Sequence, residues 1–230
     1  MFKKKWFILV LMLALVVWGI WYFAIRNAAM VQTEKVIDYS VYPRELDTIK
    51  IIKERLKKKQ ATFFEIQQSF VSNMDKRIFK YWYGTKWDFN GTTENPNEGK
   101  IACGYFVTTT LRDIGVPINR VKMAQCASEE MINSLTGKKY IYHFSSMSLA
   151  DFEKKIKKKG NGLYVIGLDN HTGFVSISNE GNYFIHASGW FPFKVIKEIL
   201  GKSSVLGKSK YRVVGKISDD RDFLNKWLNN

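Results

Sequence analysis

Between Lys5 and Arg26 the chain carries 20 consecutive residues, Trp6 to Ile25, without a charge or a proline. As a helix that run extends about 30 Å, the thickness of a bilayer's hydrocarbon core. In such a medium a helix is the form that satisfies every backbone amide within the segment. Trp6 stands at one end, and Trp21 and Tyr22 near the other, where amphipathic rings favour the headgroup layer. Lys3, Lys4 and Lys5 precede the run, which keeps the N-terminus in the cytoplasm and carries the remainder outward. The expectation is an uncleaved single-pass anchor over residues 1–27 in the cytoplasmic (inner) membrane, crossing through residues 6–25, with the C-terminal domain on the periplasmic side. A cleaved signal peptide is the alternative. Its apolar core would be shorter, about 7–15 residues, and would end in a small-x-small site; here Arg26 and Asn27 follow directly.

Enough chain remains for one domain with a real core. Aromatic residues make up 15% of the sequence and charged residues 25%, a globular profile. Outside the anchor, 32 basic residues face 21 acidic ones. Such a field draws anionic lipid, wall polymer or nucleic acid alike. An extracytoplasmic location excludes nucleic acid as a partner.

Residues 28–42 read as a linker and 43–81 as a helical extension. Pro43 opens an amphipathic helix with Leu46, Ile49, Ile52 and Leu56 in one stripe. A second helix is expected from Thr62 to Tyr81, with Phe63, Ile66, Phe70, Met74 and Ile78 on one side. Residues 82–230 form the main domain. Tyr83 to Lys100 is a loop rich in Gly, Asn and Thr. Cys103 to Ile114 reads as a helix closed by Gly115 and Pro117. Thr108, Thr109 and Thr110 disfavour it and leave a buried strand as the competing reading. Helices follow at Ala127–Leu135 and Leu149–Lys159, the latter capped by Ser148. Strand patterns occupy 163–168, 173–177, 183–187 and 211–217, and a helix from Ser218 to Leu228 closes the chain. Helices first and an antiparallel sheet afterwards give an α+β fold.

There are two cysteines, Cys103 and Cys126. A thiol becomes a nucleophile when its pKa falls, which a helix N-terminus and an adjacent imidazolium both promote. Cys103 stands where a polar loop enters an apolar helix, and small Ala102 and Gly104 beside it allow a substrate to approach. A structural thiol, or a disulfide to Cys126 in an oxidising compartment, are the alternatives. Among three histidines, His171 opens a strand and suits a base held at a cleft. His186, inside an apolar strand, suits the group that fixes the base's tautomer. His143 reads as structural or surface. With Glu180-Gly181 as the hairpin loop, His186 faces Val175, on His171's side of the sheet but not opposite it. A bulge, or a loop shifted towards Ser178, brings the two together. Neither Cys-x-x-Cys nor His-x-x-x-His occurs, so no metal site is expected, and no cofactor.

The segment "ACGYFVTTTLRDIGVPI" resembles the nucleophile helix of the NlpC-type cell-wall peptidases, a papain-like group; the matching positions are Cys103, Gly104, Phe106, Val107, Leu111 and Gly115. "NHTGFV" is similar to that family's base strand, through His171 and Gly173, and "FIHAS" to the strand whose histidine orients the base, here His186. "WYGTKWDFNGT" resembles the segment ahead of the nucleophile. Ala102 stands where the family has Asp or Asn. Trp87 stands where it commonly has an oxyanion-assisting tyrosine. The resemblance implies a papain-like domain with N-terminal helices packed on an antiparallel sheet. It further implies a Cys-His-His cysteine peptidase or amidase acting on peptidoglycan stem peptides or another envelope amide, with Trp87 and Gly104 near the oxyanion. Two other readings are a catalytically inactive envelope scaffold and a thiol acyltransferase acting on lipid.

Overall fold

A computed structural model describes residues 2–31 and 37–230 of the chain; part of the expected linker lies outside the described residues. The elements in chain order are α1 (Phe2–Ala29), α2 (Tyr42–Lys58), α3 (Phe63–Asn73), α4 (Lys80–Trp82), β1 (Lys86–Trp87), β2 (Lys100–Ile101), α5 (Cys103–Asp113), α6 (Arg120–Ala124) and α7 (Ser128–Leu135). There follow β3 (Ile141–Ser145), α8 (Leu149–Lys157), β4 (Gly162–Leu168), β5 (Thr172–Ser178), β6 (Gly181–Ala187), β7 (Val195–Ile199), α9 (Ser204–Lys208), β8 (Tyr211–Gly215) and α10 (Arg221–Asn229). The α+β expectation holds. Six strands form one antiparallel sheet in the order β3-β8-β4-β5-β6-β7.

α1 is long and apolar enough to cross a membrane, and its apolar side chains project outward rather than into the domain. Directly after it the chain joins the sheet edge: Met30 bridges Glu198, and the Val31 amide donates to the Lys197 carbonyl at 2.9 Å.

The sheet is covered on both faces. On one side Leu163, Val165, Phe174, Ile185 and Val213 pack beneath α2, α3, α5, α7 and α10. On the other, Tyr164, Ile166, Val175, Phe184 and Val214 meet α8 and α9. This is why every residue of β4 is buried. The helices at 42–82 therefore share one core with the sheet: Phe70 packs edge-on against Phe223 and Trp227 of α10. The helix expected over 62–81 begins with a Thr62–Glu65 capping box and loosens into a π-helical stretch over Met74–Phe79. Its Ile66, Phe70, Met74 and Ile78 are buried as their spacing predicts.

Residues 103–113 are helical despite the three threonines. Each is fully buried. Thr108 donates its hydroxyl to the Gly104 carbonyl and Thr110 to that of Phe106, while Thr109 accepts from the buried Arg120 guanidinium. Satisfied hydroxyls remove the usual cost of burying them.

Asp220 ties the C-terminal helix to the domain. One carboxylate oxygen accepts from Thr136 and the Gly137 amide, and the other caps α10 through the amides of Asp222 and Phe223. Burial pushes this carboxyl up, but those hydrogen bonds outweigh it and hold it below the ordinary carboxylate value. Asp220→Ala is expected to cost about 2–3 kcal/mol, the loss of a cap together with charged hydrogen bonds. Urea unfolding of detergent-solubilised protein at neutral pH measures it. Because the folded value is the lower one, the wild-type advantage shrinks as pH falls through it.

Candidate active site

The site lies where β5 begins. A turn of Leu168 to His171 precedes the strand, with the Leu168 amide donating to the His171 carbonyl at 2.8 Å. Asp169 fixes this turn from outside, accepting from the amides of Lys210 and Tyr211 and from the Ser209 hydroxyl. His171 thus turns its backbone groups towards β4, and the next amide, Thr172, points towards β6. The last paired positions of β5 and β6 on this side are Phe174 and Ile185. In the gap ahead of them the Thr172 amide meets the sulfur of Cys103.

Cys103 is the first residue of α5, and its neighbour Gly104 is buried. A Cβ at Gly104 would collide with the Ala124 carbonyl oxygen, so its small size serves the packing of α6 on α5. Gly104 also lines the cleft beside Cys103, as its small size suggests. Cys103 and Cys126 are both free thiols, and Cys126 donates to the Met123 carbonyl. Trp87 packs its ring over Gly189 and beside Phe193. Among the described residues it does not line the cleft that holds Cys103. His143 sits on the surface paired with Glu129.

Cys103 and His171 line that same cleft, together with Ser128, Asn170 and Thr172. Among the described residues no hydrogen bond joins the sulfur to the imidazole; the nearby amides of Thr172, Gly104 and Cys103 act on the sulfur electrostatically, favouring its charged form. His171 instead bonds His186, Nε2 to Nδ1, at 2.8 Å. The two rings meet because the hairpin loop is Asn179-Glu180, one residue earlier than Glu180-Gly181. Ser178 then pairs with Gly181, and His186 falls opposite Gly173. A Cβ at Gly173 would lie 2.8 Å from the His186 Cβ, so only glycine lets the second imidazole cross to the first.

The chain of polar groups continues inward. His186 Nε2 lies 3.3 Å from Glu198 Oε2, which accepts the Ser203 hydroxyl at 2.6 Å. Histidine and carboxylate are both fully buried. With Glu198 ionised its carboxylate only accepts, which assigns the proton to His186 Nε2. His186 Nδ1 then accepts from His171 Nε2–H, and the lone pair of His171 is left on Nδ1. Trp190 closes the other side of His171, ring to ring at 5.5 Å and nearly perpendicular. Glu198, Ser203 and Trp190 escaped the sequence reading. "VIKEI" carries no clean strand pattern, and only its pairing with β6 sets Glu198 opposite Phe184, close to His186.

Electrostatics differ from the expectation of a thiolate at a helix start. Burial pushes the Cys103 thiol above its ordinary value, and the three backbone amides recover only part of the shift. Burial also holds His171 well below the ordinary imidazole value, with His186 acting in the same direction. At neutral pH both groups are uncharged, so the arrangement is a thiol beside a neutral base.

No family model, curated protein or solved structure matches the chain.

Two outcomes follow from this geometry. Gly173→Ala should lower stability by about 1–3 kcal/mol through overpacking and shift the imidazole 15N resonances of both His171 and His186; unchanged resonances at full stability refute the close-approach account. Alkylation of Cys103, followed by mass spectrometry, should accelerate with pH beyond about 8.5, as for a protonated thiol. A plateau already reached near pH 6, by the same measure, reveals a preformed thiolate instead.

Proposed function

We propose that this chain is a membrane-anchored, extracytoplasmic cysteine hydrolase that cleaves amide bonds, with Cys103 as nucleophile, His171 as base and His186 as the residue that orients it. One observation carries the reading: a sulfur at the start of a helix shares a cleft with an imidazole whose far nitrogen is engaged by a buried His–Glu–Ser chain. That chain leaves His171 Nδ1 as the acceptor, which is the form a general base requires.

In the proposed reaction His171 Nδ1 takes the Cys103 proton as the sulfur attacks the carbonyl carbon. The imidazolium that forms is stabilised through His186 by the Glu198 carboxylate, which offsets the cost of charging a buried ring. The Cys103 amide at the helix start, unpaired within the helix, donates to the oxyanion. Collapse of the tetrahedral intermediate expels the amine, which takes the proton back from His171, and leaves a thioester on Cys103. Water, deprotonated by His171, then adds to the thioester and releases the acid and the thiol. Apo hydrogen bonds at such sites are often long and shorten once substrate fills the cleft, which accommodates the absence of a direct sulfur–imidazole bond. The resemblance to the NlpC-type peptidases and the basic surface support peptidoglycan stem peptides as substrate.

A second reading, a thiol acyltransferase drawing on lipid, is favoured by one contact: Tyr22 of α1 lines a second cleft beside His171. Labelled phospholipid tested beside purified peptidoglycan separates the two by which one yields product.

With peptidoglycan, Cys103→Ala and His171→Ala should each reduce fragment release about a thousandfold or more, with circular dichroism unchanged. Glu198→Gln should lower kcat about tenfold or more at constant KM. Undiminished release from Cys103→Ala overturns the assignment.

A further inference from the structure

The loop between β6 and β7 carries three aromatic rings outward. Trp190, Phe191 and Phe193 are 36%, 39% and 51% exposed. Backbone bonds hold the loop in shape: the Phe193 amide donates to the Trp190 carbonyl, the Ser188 amide to that of Lys194, and the Trp87 amide to that of Phe193. Apolar side chains held outward by a shaped loop need a medium that accepts them.

The position of α1 names that medium. Phe191 touches Phe23, ring centroids 5.5 Å apart. Phe23 lies two residues inside the end of the uncharged run at Ile25, about 3 Å along the helix axis. A membrane that covers the run to its end therefore reaches Phe191. Tyr22, one residue earlier, lines the second cleft together with His171, Trp190 and Lys208. Lys194, at the loop's far end, and Lys208, at the cleft, are exposed, where cations meet anionic headgroups.

We propose that the loop 190–193 seats in the interfacial layer of the bilayer that holds α1, and that the cleft beside His171 opens onto the headgroups. This inference rests on α1 spanning the membrane, as in the function proposed above. It narrows the substrate class to amides carried by molecules attached to the membrane surface, which reach the cleft by lateral diffusion.

Site-directed labelling tests it without any use of activity. Full-length protein with Cys103→Ser and Cys126→Ser, bearing one of Phe191→Cys, Phe193→Cys, Lys208→Cys or Glu180→Cys, is labelled with an environment-sensitive dye. Each variant is reconstituted into vesicles of phosphatidylethanolamine and phosphatidylglycerol. Glu180 is the control, in the hairpin turn at the opposite end of β5 from His171. The expected result is loss of emission from the 191 and 193 sites with nitroxide on shallow acyl carbons. The 208 site should lose emission with headgroup nitroxide, and the 180 site with aqueous iodide alone. Iodide-only quenching at both 191 and 193 overturns the proposal, as does failure of the protein to float with the vesicles. Two loop positions guard against one variant misfolding. Because the background lacks Cys103, a failure of the hydrolase assignment leaves this readout untouched, and the peptidoglycan assay reports that failure separately.

Discussion

The hydrogen bond between His171 and His186 organises everything around it. Two imidazoles buried together need partners for four ring nitrogens, and an unsatisfied one would cost about 1–3 kcal/mol. Three features of the fold answer that demand. The hairpin register sets His186 opposite Gly173, where no side chain intervenes. β7 brings Glu198 under the second ring, and Ser203, the cap of α9, holds the carboxylate in turn. The last nitrogen, Nδ1 of His171, belongs to the ring that lines the cleft with Cys103. Tautomer, ring orientation and strand pairing are thus a single solution, and none of them stands without the others.

Much of the fold was legible because its periodicities are strong. The stripes of α2 and α3, the Ser148 cap of α8 and the strands β4, β5 and β6 follow from apolar spacing and turn residues. β3 and β7 were not legible. Their residues, "IYHFS" and "VIKEI", mix charge with apolar character and show no clean alternation, since β3 is an edge strand and β7 buries an acid. The site divides along the same line. Cys103, His171 and His186 stand out as rare residues in patterned surroundings. Glu198 is one acid among 21 acidic residues, and only strand pairing reveals that it faces a histidine. Of the two hairpin registers open to the sequence, the one shifted towards Ser178 is found; Gly181 looks like a turn residue but opens β6 with φ near 155°.

The charge state of the cleft reflects a competition that sequence cannot weigh. A helix start and backbone amides favour a thiolate, while removal from water disfavours it, and here desolvation prevails for the sulfur as it does for the imidazole. A neutral pair in a partly dry cleft is less open to adventitious oxidation than a standing thiolate. In the reaction proposed above it would concentrate the electrostatic work in the complex with substrate, where the Glu198 carboxylate lies two hydrogen bonds from His171.

The attachment of α1 has a mechanical side. One residue after the helix ends, the chain is already bonded to β7, the strand that bears Glu198. If α1 spans a membrane as proposed above, no slack separates it from the domain, which then cannot swing out like a float on a line. Under that proposal its working radius is little more than its own width, a surface instead of a volume. Any force that tilts the helix arrives first at the strand holding the innermost carboxylate.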